Sequence, residues 1–215
     1  MSKPILGITM GDPFGNGPEI TVRALNDKTV YDRCRPLVVG DVSSMEYALK
    51  VAKKVSGIDL ALNPVKDVKD AKFTYGTIDV LDLGLVPADQ IPNTADQDEP
   101  KPFGIGACAL GGEASFQYVK KVIELAMAGE VDATVTNALA KEAINMAGHH
   151  YSGHTEIYAD YTHTDKYTMM LAHEELRVVH VSTHVSLREA CDRGKEGQGA
   201  GVHPHCQRGL QGPGH

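Results

Sequence analysis

The chain has 215 residues, 42% of them hydrophobic and 23% charged, with a formal net charge of −7. This is ordinary globular composition for one large domain or two small ones, and the acidic balance argues against a basic face for nucleic acid. No apolar run approaches the ~20 residues a membrane helix needs, and no signal peptide is visible, so a cytoplasmic location is expected.

Met1-Ser2-Lys3-Pro4 leads into an apolar run, Ile5 to Met10, that reads as a first strand. Gly11 to Gly17 is a glycine-rich loop. Pro18 suits the first helical position and Glu19 the positive end of the helix dipole, so a helix is expected from Pro18 to Asn26. Pro36 to Gly40 is the next buried strand, and Asp41 or Ser43 is placed to cap a helix running to Val55. Ile58 to Leu62 and Ile78 to Leu83 read as strands, and Val86 to Phe103 as a long loop.

Ala107 to Gly129 carries the clearest helical pattern. Leu110, Ala114, Tyr118, Val122 and Leu125 recur on one apolar face, and Gly129 stops the helix. Val131 to Thr136 is a strand, and Ala138 to Ala147 a short helix that Gly148 ends. Thr168 to Ala172 and Leu176 to Thr183 are strands, joined by a tight turn at His173-Glu174-Glu175. Strands alternating with helices predict an α/β layered fold with a largely parallel sheet. Cys34, Cys108, Cys191 and Cys206 are far apart and form no CxxC, so reduced thiols are expected.

The pattern breaks at Gly194. The last stretch is dense in Gly, His and Gln, with Val202 and Leu210 as its large aliphatics. Such a stretch buries too little surface to offset chain entropy. Leu187 to Asp192 reads as the opening of a helix that unrelated sequence interrupts. The expectation is an incomplete α/β catalytic region over residues 1–192 and an aberrant, disordered tail over 193–215, from a frameshift or cloning artefact.

Several segments carry possible chemistry. The loop from Gly11 to Glu19 is not a Walker loop, because no GK[ST] follows, nor a full GxGxxG fingerprint, because position 20 is Ile. Gly15 and Gly17 let backbone N–H groups face an anion, while Asp12 and Glu19 favour a hydroxyl or a cation. A plain strand-to-helix turn explains the pattern equally well. His154 and Thr155 stand in a small-residue, Gly-containing turn, Tyr151 to Glu156, with groups that bond a phosphate, a hydroxyl or a metal. His184 follows a strand, where α/β sheets gather ligands, and imidazole is a common ligand of divalent metals. Thr136 and Asn137 are placed to cap the next helix or orient a ligand. Lys141 is either a solvated helix residue or one that faces an acidic substrate. His149, His150, His163, His173 and His180 read as surface or packing residues, and His203 and His205 lack a rigid support.

Taken in order, these segments resemble the 4-hydroxythreonine-4-phosphate dehydrogenase family. The matching residues are Ile8-Thr9-Met10-Gly11-Asp12-Pro13 with Gly15, Gly17, Pro18 and Glu19; Thr136 to Lys141 with Ala143 and Ile144; Ala147-Gly148; Gly153-His154-Thr155-Glu156; Met169-Met170-Leu171; and Leu176-Arg177-Val178 with Thr183-His184 and Leu187-Arg188. Asn137 and His149-His150-Tyr151-Ser152 look more like the branch acting on D-threonate or D-erythronate 4-phosphate.

The resemblance implies a two-domain α/β/α fold similar to isocitrate and isopropylmalate dehydrogenases, incomplete in this chain, with a cleft completed across a homodimer. It implies oxidation of a phosphorylated hydroxy acid by NAD or NADP, followed by decarboxylation, as in pyridoxine biosynthesis or carbohydrate metabolism. It also implies a divalent metal (Zn, Mg, Co or Mn) held by three histidines. His184 matches the first of these, and His154 and Thr155 match substrate-binding positions. The other two metal histidines and the family's substrate-binding Lys, Asn and Arg have no match here. The 215-residue chain is therefore expected to be inactive or nearly so. The rival readings are a non-catalytic phosphate-binding module on the same fold and a phosphotransferase using the glycine-rich loop.

Overall fold

The computed structural model describes residues 2–91, 106–173, 176–180 and 186–193. The chain divides into two compact units, Met1–Thr162 and His163–His215.

The first unit is an α/β layer built on a five-stranded sheet. Its strands are β1 (Ile5–Thr9), β2 (Arg35–Gly40), β3 (Ala61–Val65), β4 (Thr77–Asp82) and β5 (Ala133–Thr136). They lie in the order β3-β4-β2-β1-β5, and every pairing is parallel. A parallel sheet is covered on both faces, so its central strands read as continuous apolar runs. The run Pro36 to Gly40 in β2 is buried throughout. The edges are less demanding. Pro64 sits in edge strand β3, where a missing N–H costs little, and Val135 on edge strand β5 is 46% exposed.

Among the described residues this unit has six α-helices: α1 (Gly17–Leu25), α2 (Lys28–Arg33), α3 (Val42–Ser56), α4 (Ala109–Met127), α5 (Lys141–Met146) and α6 (His154–Tyr161). α1 packs on α3, while α4 packs on β1, β2 and β5 and carries α5 and α6. Val22, Leu37, Val38, Val39, Ile78, Val80, Tyr118 and Val122 are fully buried between these layers.

Several boundaries differ from expectation for identifiable reasons. α2 has no strong apolar period, but the Asp27 side chain accepts from Thr29 N at 2.8 Å and starts the helix. β3 begins at Ala61 rather than Ile58, because its register is set by β4 (Ala61 opposite Thr77). Neither Asp41 nor Ser43 caps α3 through its side chain. The first α3 amide, Val42 N, donates to Asp82 Oδ1 at 3.2 Å, and Ser43 Oγ donates to Val86 O. α5 starts at Lys141, not Ala138, after Ala140 at the cap position. His154 opens a helix where a turn was expected.

The second unit holds an antiparallel pair, β6 (Met170–His173) and β7 (Leu176–Val179), followed by α7 (Leu187–Arg193). His173 pairs with Leu176, and the turn expected at His173-Glu174-Glu175 runs through residues 174 and 175, which lie outside the described set. Ser186 and Glu189 form a reciprocal capping box at the start of α7: Ser186 N donates to Glu189 Oε2 at 3.2 Å and Glu189 N to Ser186 Oγ at 3.3 Å. Cys34, Cys108 and Cys191 are free thiols. No helix among the described residues is long and apolar enough to cross a membrane.

Gly112 is where α4 and α5 meet. A Cβ there would lie 1.9 Å from the Ala143 carbonyl oxygen, a backbone atom that cannot step aside. Gly112→Ala is expected to destabilise the fold by about 1–3 kcal/mol, read as a lower midpoint of urea unfolding. An unchanged midpoint would show that the two helices are not in backbone contact.

Candidate active site

The strand order places the site. The chain passes from β1 to β2 on one side and returns as β5 on the other, so the crevice beyond the carboxyl ends of β1 and β5 is the switch point of the sheet. Two segments meet there, the loop after β1 and residues 137–141 after β5. Gly11 takes φ +81° to turn the chain, and a Cβ there would lie 2.6 Å from Ala138 O. Asp12 N then donates to Ala138 O at 3.0 Å.

The loop is tightly self-bonded. Phe14 N donates to Asp12 Oδ1 and Gly15 N to Asp12 O, each at 3.0 Å. These two amides are spent on Asp12 and not offered to an anion. Asp12 is buried, which pushes its carboxyl above the ordinary value, while the Phe14 bond pulls the other way. Gly17 and Pro18 begin α1 and are buried, and one carboxylate oxygen of Glu19 is buried without a partner among the described residues.

Asn137 ties the two segments together. Its N–H donates to Thr9 Oγ1 at 3.1 Å, and its Nδ2 donates to Thr9 O at 3.0 Å and to Thr21 Oγ1 at 2.7 Å. The bonded partners lie on β1 and α1, so Asn137 and Thr136 do not cap α5. His154 stands at the first position of α6. Burial lowers the His154 pKa below its ordinary value, so the ring is neutral at pH 7. Its Nε2 is buried with no partner among the described residues. Buried polar atoms are rarely left unpaired, and a ligand is one ordinary partner.

Lys141 is exposed, yet its Cε lies 4.0 Å from where a Cβ would stand on Gly153. The structure therefore brings Lys141 and His154 to the start of α6, with Thr155 exposed beside them. Gly15 and Glu19 lie on the neighbouring loop and first turn. His184, His203 and His205 fall outside the described residues, so the expected meeting of His154 with His184 falls outside them too. Among the described residues no group of three or more His, Cys, Asp or Glu could hold a metal ion.

Sequence reasoning missed a second polar cluster at the same edge of the sheet. Asp41, directly after β2, accepts from Leu85 N at 2.8 Å, from Val86 N at 3.0 Å and from the Tyr118 hydroxyl. Tyr118 had the spacing of an apolar face residue, and it is fully buried, but its hydroxyl has a carboxylate to meet. Burial, then Asp41, push the phenol well above its ordinary value, so it remains a donor. The position of Asp41 at a strand end was the available signal. His149 packs as expected, stacked on Phe116 with ring centroids 3.6 Å apart and Nε2 2.7 Å from Glu113 Oε2.

Two outcomes follow from these environments. Tyr118→Phe leaves an Asp41 oxygen one donor short in a buried site and is expected to cost about 1–3 kcal/mol in urea unfolding. For His154, a folded pKa below the unfolded value of 6.5 means stability that is present above pH 6.5 and lost as pH falls through the folded midpoint. An NMR titration should give a His154 midpoint below 6.5, and His154→Gln should flatten unfolding stability over that acid range. A midpoint at or above 6.5 would contradict the buried placement.

Residues 32–208 match the family model described as pyridoxal phosphate biosynthetic protein PdxA. A D-threonate 4-phosphate dehydrogenase of Cupriavidus necator is 41% identical over 187 residues, 87% of this chain and 51% of that protein. A crystal structure of a 4-hydroxythreonine-4-phosphate dehydrogenase from Burkholderia phymatum superposes with a TM-score of 0.79 at 38% identity, covering 94% of this chain and 57% of the other. The corresponding enzyme from Klebsiella pneumoniae gives a TM-score of 0.82 at 30% identity, covering 97% and 58%. The chain spans about half the length of the curated relatives it matches. The chain therefore belongs to the family of the pyridoxal phosphate biosynthetic protein PdxA.

Proposed function

We propose that the chain contributes the His154 substrate subsite of an NAD-dependent, divalent-metal-dependent dehydrogenase of phosphorylated hydroxy acids. The branch substrate is D-threonate 4-phosphate or a close four-carbon analogue. The reading is supported by relatives that bear the D-threonate and 4-hydroxythreonine 4-phosphate dehydrogenase names. The observation that carries it is the buried, unpartnered Nε2 of His154 at the start of α6, next to Gly153, where the Lys141 side chain and the Glu156 carboxylate approach. NADP in place of NAD is the alternative cofactor, and the working form is a cytoplasmic homodimer.

The reaction is oxidation of a secondary alcohol to a 3-keto acid that then loses carbon dioxide, and a bound nicotinamide would supply the hydride acceptor. A bound divalent ion would supply polarisation of the alcohol and ketone oxygens. His184 is assigned to it by the family pattern. The described residues by themselves do not form its site.

This chain's own residues bind and orient. Lys141 offers a mobile positive charge for an acidic group, Thr155 a hydroxyl donor, and neutral His154 a lone pair for a donor on the substrate. One Asp12 oxygen is already occupied within its own loop, where it accepts from Phe14 N.

Calorimetric titration of the 215-residue protein with D-threonate 4-phosphate tests the subsite. His154→Gln and Lys141→Ala are each expected to weaken binding about tenfold, or ~1.4 kcal/mol. Unchanged affinity in both would remove the subsite from His154. The same polypeptide, given NAD and manganese, is expected to form little or no NADH. A rate near that of the Cupriavidus necator enzyme assayed alongside would contradict this. Tight binding with no turnover even after the second half of a relative is fused on would favour a non-catalytic phosphate-ligand module.

A further inference from the structure

We infer that Asp12 is a specificity-determining residue: the carboxylate oxygen that its own loop leaves free accepts a hydrogen bond from a hydroxyl group of the ligand. The glycine-rich loop then reads hydroxyls and not a phosphate. Asp12 follows β1 and is 8% exposed. Its backbone N donates to Ala138 O at 3.0 Å, and its Oδ1 accepts from Phe14 N at 3.0 Å. The residue is thus held at its backbone and at one oxygen. Oδ2 takes no bond from any described residue and keeps contact with solvent. A carboxylate accepts at both oxygens. A plain strand-to-helix turn accounts for Oδ1 and leaves Oδ2 idle, on a side chain whose burial is costly unless its charge is matched.

The surroundings supply acceptors and room, not donors. The amides of Phe14 and Gly15 go to Asp12, that of Asp12 to Ala138 O and that of Ile20 to Asn16 O. Asn137 lies against the same turn, its Cβ 2.9 Å from where a Cβ would stand on Gly11. Its Nδ2 donates to Thr9 O and Thr21 Oγ1. Thr9 O can only accept, so the amide has one workable orientation and its free atom is the acceptor Oδ1. Gly111 in the first turn of α4 keeps space beside Asp12. A Cβ there would lie 2.8 Å from Asp12 Oδ1 and 2.8 Å from a Phe14 ring carbon. Glycine weakens a helix, so α4 gives up stability at the point where the carboxylate stands.

A negative oxygen beside a carbonyl acceptor repels a phosphoryl oxygen and attracts a hydroxyl hydrogen. A metal ion would need more ligands than this, and no group of three exists among the described residues. Two molecules of the proposed reaction carry such hydroxyls, the hydroxy acid and the ribose of the dinucleotide. The identity of the ligand rests on the proposed function, while the donor–acceptor sense of the contact rests on the loop alone.

The test is calorimetry of the 215-residue protein and Asp12→Asn with D-threonate 4-phosphate, NAD and inorganic phosphate. Asparagine keeps an oxygen for Phe14 N and turns the free position into an amide donor at unchanged size. One of the two hydroxyl sources is expected to bind about tenfold or more weakly to Asp12→Asn, as a hydrogen bond to a charged group is lost. Inorganic phosphate is expected to bind the variant no less well than the wild type. An analogue of the affected ligand that lacks the contacted hydroxyl should lose about tenfold on the wild type and nothing further on Asp12→Asn. A merely structural Asp12 would show no such coupling. Equal affinity of a folded Asp12→Asn for both compounds would overturn the inference, as would a wild type that binds neither. Should the variant fail to fold, the deoxy analogues on the wild type decide, and no loss with any of them overturns it. Binding that depends on His154 and not on Asp12 would leave the proposed function standing without this contact. Loss of NAD binding alone in Asp12→Asn, with no D-threonate 4-phosphate bound by the wild type, would do the reverse.

Discussion

The first unit depends on a single amide side chain that joins three segments distant in sequence. Asn137 follows the edge strand β5, and it bonds the end of β1 and the second turn of α1. Parallel strands cannot be linked by tight hairpins, so the ends of β1 and β5 meet only because something other than connectivity holds them. A buried network with every donor matched does this in a way apolar contact cannot, since it specifies direction as well as proximity. The sharp turn at Gly11 and the Asp12–Ala138 backbone bond extend the same seam toward solvent.

A second polar seam runs along the neighbouring strands. Asp41 gathers two backbone amides and a phenol, and Asp82 caps α3 from the end of β4. Both use the same geometric fact: the carboxyl end of a parallel sheet is where strands stop and loops must be organised. The Asn137 seam ties the segment after β5 to β1 and α1. The Asp41 seam closes on itself.

Much of this was legible from residue order. The apolar runs of β1 and β2, the long period of α4 and the Gly129 stop describe elements whose burial is continuous or strictly periodic. The difficult elements were short ones decided by partners. β3 takes its register from β4, α2 from one Asp27 bond, and α6 begins within a polar stretch with one buried residue, Ile157. The site was legible as a set of residues, because His154, Asn137 and Lys141 stand in recognisable segments. Their mutual geometry was not, since the Asn137 bonds run to residues 116 and 128 positions away. Tyr118 is on the buried face its spacing predicts, but its bond to Asp41 was missed for a simple reason: a periodicity argument sees its ring and not its hydroxyl.

The Gly112–Ala143 crossing reaches beyond its own stability. Where two helices touch through backbone atoms, no compressible side chains lie between them to absorb small displacements. α5, which starts at Lys141, thus rides on α4 like a rail on its bed. The reach of the Lys141 ammonium is then gauged from the long helix that spans the sheet, and a missing methyl group becomes a measure of distance.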